Sequence, residues 1–369
     1  MIRSAQDYRS AGRKVFQDLR SDTVGAVQHL AAGNTTDSTR NLETVPPYTQ
    51  NGKSYAAGRA VMGSSGAKPH MMAFLEAQET QAPIELDTSW LAVQHTDEFM
   101  QFLPVESERG WVMMVDDPRA GLEMLRKAQQ AGHGQEMAVS RPKSPTDGPE
   151  WRVTNTIDDL LNITNFAGFQ ESCAKSIEEN VNIMKRETGI TDAEIIRIPS
   201  LYEDYPENSW KYANDEPVTQ GKREEPVTQI RTSGDENQRR QIHDQARAQK
   251  PKGLNALEAG TPPRDLKHQP EDAAARSLEG CREADRGAVT LYPGAINSVV
   301  LGNKQIVAPN PWGPIIEGQD VLATAVNAAY AKAGYTVVYV DDWFTHHAKL
   351  GEVHCGSNVI RELTDVKWW

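Results

Sequence analysis

Near the C-terminus, the stretch Gly351-Glu352-Val353-His354-Cys355-Gly356-Ser357-Asn358 sets a thiol beside an imidazole and between glycines. The thiolate is the reactive form of cysteine, and a neighbouring cation lowers its pKa. Gly356 frees the backbone for a turn and lets a ligand come close, so a strand running into this stretch would present the Cys355 sulfur at a cleft. A second stretch, Trp90 to Pro104, carries His95 and Asp97 two positions apart between apolar runs. On an extended chain the two side chains share a face. Brought to a cysteine, they supply an acid/base and an anionic anchor for a cationic substrate group. Each motif also has a plainer reading: a packed core cysteine, and a His–Asp hydrogen bond at a strand end. A zinc site drawing on His95, Asp97, His346 or His347 is a further alternative, since imidazole, carboxylate and thiolate all ligate that metal.

The two stretches resemble the catalytic domain of the protein-arginine deiminases, in a fungal or bacterial version. That family carries His-x-Asp-Glu-Phe and Gly-Glu-Val-His-Cys-Gly-Thr-Asn segments, matched here by His95 to Phe99 and by Gly351 to Asn358, with Ser357 in place of the threonine. Asn41-Leu42-Glu43 ahead of Pro46-Pro47, Gly189 to Pro199, Pro309 to Gly318 and Lys367-Trp368-Trp369 agree in order, so the resemblance covers roughly residues 3–201 and 289–369. It implies a pentein-type α/β propeller of pseudo-fivefold ββαβ repeats, incomplete at its N-terminus. The activity implied is hydrolysis of peptidyl-arginine in proteins or peptides to peptidyl-citrulline and ammonia. Cys355 would be the nucleophile, His95 would protonate the departing ammonia and then activate water, and Asp97 would clamp the guanidinium. Arg9 would hold the substrate backbone. The Thr39 and Leu42 carbonyls with the Glu43 carboxylate would form part of a calcium site. Glu98 and His354 carry no catalytic role over; they are expected to support the site and shape the chain. The family's second guanidinium-binding aspartate lies in a Trp-x-Gln-Asp segment upstream of the stretch matched by Met1 to Gly12, so the chain is expected to be N-terminally truncated and weak or inactive. Two other functions stay open: a catalytically dead module that binds arginine-rich protein, and a pentein hydrolase acting on free guanidino compounds.

Composition narrows the partners. The chain has 369 residues and a net charge of −12, which argues against binding nucleic acid or anionic membranes through bulk charge and suits basic protein segments. Cys173, Cys281 and Cys355 are too few and too scattered for a disulfide framework, pointing to reduced thiols and a cytoplasmic setting. No apolar run is long enough to span a bilayer, and the N-terminus lacks the order of a signal peptide.

The positioning elements read as α/β. Strands are expected at 84–93 and 98–103 around the His95 motif, at Trp111 to Val115, at Ile195 to Ile198, and at Tyr335 to Val340, with order returning after the insertion at Ala295 to Leu301. Asp117 followed by Pro118 marks a helix start, as does Asp320. Phe169, Cys173, Ile177, Val181 and Met184 recur at helical spacing between Phe166 and Thr188, which makes Cys173 a core residue. Asp37, Asn41 and Glu43 offer hard oxygen donors on a turn-rich loop, either to calcium or to solvent. Residues 213–287 contain no aromatic side chain and repeat Glu-Pro-Val-Thr-Gln at 216–220 and 225–229. Such a stretch buries too little apolar area to offset its ordering entropy. The chain therefore divides into a discontinuous catalytic domain, 1–204 and 288–369, and a disordered insertion at 205–287.

Overall fold

The computed structural model describes residues 14–19, 35–79, 81–148, 151–213 and 286–357. Arg9, residues 214–285 of the expected insertion and the terminal Lys367-Trp368-Trp369 lie outside them. Among the described residues no helix is long and apolar enough to cross a membrane.

Three small sheets share one pattern. In the first, β1 (Leu42–Val45) pairs antiparallel with β2 (Arg59–Ser64), and β2 pairs in parallel with β3 (Ile84–Asp87) across a helix, His70–Ala77. In the second, β4 (Met100–Pro104) lies antiparallel to β5 (Trp111–Asp117). Helices α1 (Pro118–Ala128) and α2 (Phe166–Thr188) then precede β6 (Ile195–Pro199), which runs parallel to β5. Between this sheet and the third, β7 (Tyr202–Tyr205) pairs antiparallel with β8 (Gly287–Thr290). The third sheet repeats the order with β9 (Val299–Leu301), β10 (Gln305–Pro309), helix α3 (Val321–Lys332) and β11 (Thr336–Val340). Each is thus a ββαβ unit with its second strand in the middle. A parallel return needs such a crossover.

The central strands of the first two sheets are largely buried on both sides, and that of the third is buried on one face. Along β5, Met113 and Val115 join a core with Ile177, Val181 and Met184 of α2, while Met114 faces Ile306, Ala308 and Tyr330 of the third unit. The helical stripe of α2 is the core face expected, with Cys173 inside it. Local signals set the helix ends: Asp117 Oδ1 accepts from Ala120 N–H at 3.0 Å with Pro118 in the first turn, and Asp320 Oδ1 accepts from Ala323 N–H at 2.9 Å.

Two expectations are corrected. The strand expected over 84–93 stops at Asp87, where Asn180 of α2 donates to the Asp87 carbonyl and accepts from its N–H. Thr88 then ties back to the Ser64 carbonyl and to the Gln94 carbonyl, folding the chain off the sheet, with Gln94 at φ 68°. The packed region also runs past the expected edge at 205. Trp210 is buried against Tyr292 and Trp343 and donates its indole N–H to the Leu291 carbonyl, so an aromatic anchor holds the chain there.

Candidate active site

Asn41 organises the first side of the site. Its amide donates to the Thr36 and Gly63 carbonyls at 2.9 and 2.7 Å, and its oxygen accepts from Gly63 N–H at 2.9 Å and Thr96 N–H at 3.0 Å. This fully buried side chain fastens the end of β2 to the segment carrying His95 and Asp97. A side chain at position 63 would collide with Thr88 and crowd Asn41, which is why glycine stands there.

The His95 segment is not extended. His95 caps a single 3-10 turn, Thr96–Glu98, and Glu98 accepts from His95 N–H at 2.8 Å. Carboxylates at the start of a turn cap its free N–H groups, so Glu98 supports the turn. Burial pushes its carboxyl well above the usual range, with Asp97 adding to the rise. His95 is buried, and its Nε2 lies 3.0 Å from both the hydroxyl and the carbonyl of Thr35. Its Nδ1 lies 3.9 Å from Asp97 Oδ1.

The second side comes from far along the chain. Cys355 sits in a run of turns after the 3-10 segment His347–Lys349, not at a strand end. Its sulfur lies 3.5 Å from Asp97 Oδ2, and one ring nitrogen of His95, one carboxylate oxygen of Asp97 and the Cys355 sulfur all lie within 4.8 Å of one another. Asn297 joins the two sides. Its amide donates to the Asp97 carbonyl at 3.1 Å and approaches the Cys355 sulfur at 3.5 Å, while its oxygen accepts from Cys355 N–H at 3.1 Å. Its carbonyl also accepts from His354 N–H at 3.1 Å. Sequence reasoning passed over Asn297; the available signal was Asn297-Ser298 breaking an otherwise apolar stretch.

His354 is the other residue whose place differs from expectation. Its Nδ1 lies 2.7 Å from Asp97 Oδ2, within the range of charge-assisted contacts, and its Nε2 lies 3.8 Å from Glu43 Oε1. Burial disfavours the charged ring, but Asp97 and then Glu43 raise its pKa to about 9. Burial likewise pushes the Asp97 carboxyl up. The facing imidazole of His354, followed by His95, outweighs that and leaves it below the usual aspartate range. The Cys355 thiol is driven well above its ordinary value by burial first and by Asp97 next. In this state the sulfur therefore holds its proton.

A cavity of about 250 Å³ opens beside Cys355, lined by Asn297, Glu98, Glu203, Glu352, Trp210 and His347 among others. His347 Nδ1 bonds Glu352 Oε1 at 2.8 Å, and His346 faces the Thr345 hydroxyl. Among the described residues, only His95, Asp97 and Cys355 form a metal-compatible group, so His346 and His347 do not complete the zinc site considered from sequence.

The calcium candidates sit where the 3-10 turn Thr39–Asn41 enters β1. The Thr39 carbonyl accepts from Leu42 N–H, which leaves a second lone pair for a cation. Carbonyl and carboxylate oxygens suit calcium, which takes 6–8 of them, so Thr39, Leu42 and Glu43 would be part of a shell. The two other acidic-loop donors serve structure: Asp37 accepts from Met71 N–H at 3.0 Å, and Asn41 is the clasp described above.

A buried thiol, an imidazole and a carboxylate within 4.8 Å of one another, with a positioning amide between them, are the equipment of a site for covalent chemistry at a cationic centre. The chain belongs to the protein-arginine deiminase family: the model of that family, described as Protein-arginine deiminase (PAD), matches residues 1–369. The chain is 28% identical to protein-arginine deiminase type-4 of Rattus norvegicus, over 90% of its own length and 39% of the relative's. It is 26% identical to type-1 of Homo sapiens, over 92% and 39%, and 28% identical to type-3 of Mus musculus, over 90% and 39%. The chain thus spans about two fifths of the length of these curated relatives.

Proposed function

We propose that this chain hydrolyses peptidyl-arginine to peptidyl-citrulline and ammonia through a covalent adduct on Cys355. The observation that carries the reading is the meeting of Cys355, His95 and Asp97 within 4.8 Å, from segments more than 250 residues apart, in a chain of the protein-arginine deiminase family. A guanidinium is planar and cationic and favours a carboxylate partner. Asp97 would bind it beside the sulfur. The guanidinium carbon would then lie against the sulfur, and the thiol would give its proton to His95 to become the thiolate. The thiolate attacks the guanidinium carbon, and His95 gives its proton to the departing amine, releasing ammonia and leaving a thiouronium on Cys355. His95 then takes a proton from water, hydroxide adds to the same carbon, the C–S bond breaks with its electron pair on sulfur, and the new hydroxyl loses its proton to solvent to leave citrulline.

The rest of the reading follows the same support. The three ββαβ units are read as blades of a pentein-type propeller, built from a discontinuous domain of the two segments expected from sequence, 1–204, extended to include Trp210, and 288–369. Arg9 would hold substrate backbone. Thr39, Leu42 and Glu43 would bind calcium, whose charge would order the turn entering β1. The protein would work in the cytoplasm on arginine-containing proteins or peptides.

The deciding experiment incubates the chain, with and without calcium, with a short arginine peptide amide. Expected is ammonia release with a mass gain of about 1 Da on the peptide, lost entirely in Cys355→Ala. Arginine-peptide binding with no ammonia release would leave an arginine-recognising module instead. Turnover of free arginine but not peptide would transfer the reading to small guanidino compounds.

A further inference from the structure

The carboxylate assigned to the guanidinium already has an occupant. Asp97 Oδ2 is held by His354 Nδ1 at 2.7 Å, and Oδ1 lies 3.9 Å from His95 Nδ1. A bidentate guanidinium needs both oxygens of its carboxylate, and one nearing the Cys355 sulfur meets Oδ2, which lies 3.5 Å from that sulfur. Ring and substrate therefore compete for one oxygen. We infer that His354 is a positioning residue that keeps the guanidinium's place on Asp97, and that an arginine side chain enters by displacing its ring. The inference rests on Asp97 being the clamp.

The local structure permits the exchange. The His354 backbone is pinned through its N–H to the Asn297 carbonyl, so the ring can turn without moving Cys355. The ring is 25% exposed, where Asp97 is 2% exposed, which leaves it a path outward. Glu43 Oε1, already 3.8 Å from Nε2, offers a second anchor on that side, with Arg40 close enough to oppose the ring's charge. Until displaced, the ring gives the buried carboxylate its shortest contact, the Cys355 sulfur at 3.5 Å and His95 at 3.9 Å being longer.

The test uses the full chain carrying Cys355→Ala, so that nothing turns over, and a short arginine peptide amide with its citrulline counterpart as the neutral control. Calorimetric titration should show arginine-peptide affinity rising about tenfold or more when His354→Ala is added, as expected when a charge-assisted competitor is removed. Citrulline-peptide affinity should not move. In the chain with Cys355 intact, His354→Ala should lower KM with kcat changed by less than about threefold; loss of a proton-transfer group would instead depress kcat by about a hundredfold or more. Where His354→Ala fails to fold, nitrogen-15 NMR of the histidine rings in the Cys355→Ala chain takes its place: the His354 Nδ1–H resonance should shift with arginine peptide and not with citrulline peptide. Unchanged or weaker arginine binding in His354→Ala, or an unmoved resonance at saturation, overturns the inference. If arginine peptide binds the Cys355→Ala chain and Asp97→Asn abolishes that binding, such a result counts against His354 alone. If no arginine peptide binds, or if Asp97→Asn leaves binding intact, the clamp reading fails, and this inference fails with it.

Discussion

Asn297 shows what the site asks of a single residue. It touches no expected substrate atom in a role of its own, yet it holds the Asp97 carbonyl and the Cys355 N–H at 3.1 Å each. Replacing it with alanine orphans buried groups at about 1–3 kcal/mol each and lets thiol and carboxylate drift apart. A shift of about 1 Å can cost about a hundredfold in rate, so Asn297→Ala should lower kcat on an arginine peptide by about that factor while the melting point falls by only a few degrees. A kcat within about threefold of the parent would mean that the turns around Cys355 hold themselves. The three residues that meet, Cys355, His95 and Asp97, were legible in sequence because they sit in dense motifs of reactive residue types. Asn297 was not, because one polar residue in an apolar stretch fits many structures. His354 was misread for a related reason: its neighbour in the chain is the thiol, but its partner in space is Asp97, 257 positions away.

Among elements, the legible signals were those written within a few residues. Asp117 with Pro118, Asp320, and the three-and-four spacing of α2 each state a helix and its ends locally. Asp117→Ala removes one capping contact, 3.0 Å to Ala120 N–H, and should cost about 1 kcal/mol. It should leave citrulline formation unchanged, because α1 contributes no site residue; a coupled loss of activity would make the helix part of the site's support. The strand misjudged over 84–93 failed for the opposite reason. Its residues alternate acceptably, but Asn180 and Ser64, remote in sequence, take over the hydrogen bonds that would have extended it. The same dependence on remote partners hides the 3-10 turn at Thr96, which Asn41 holds from 55 positions away.

For the molecule as a whole, the buried carboxyls set a pH dependence. Burial, the largest cause in each case, raises Asp116 to about 7, Glu352 to about 8 and Asp342 to about 9. Unfolded carboxyls titrate near 4. A group bound more tightly to its proton when folded lends stability that is complete below its unfolded pKa and is lost as pH rises through the folded one. His354, raised to about 9, acts in the same direction. The melting point should therefore fall from pH 6 to pH 9, and Asp342→Asn should flatten that fall. A melting point that climbs over the same range would contradict these assignments. The acidic total of −12 was plain in the sequence. That several carboxyls are protonated at neutral pH was not, since it depends on which of them the fold buries.

The double grip of Asn297 makes the site an all-or-none object. The Cys355 amide proton is held by Asn297 Oδ1, and the same side chain's NH2 holds the Asp97 carbonyl. An opening that frees the amide therefore also frees the aspartate. Hydrogen exchange at that single amide becomes a gauge of the fraction of molecules whose nucleophile and clamp have come apart. Anything that tightens one side of the cleft, whether a peptide on Asp97 or a cation near Glu43, should slow exchange at Cys355, though neither need touch its N–H.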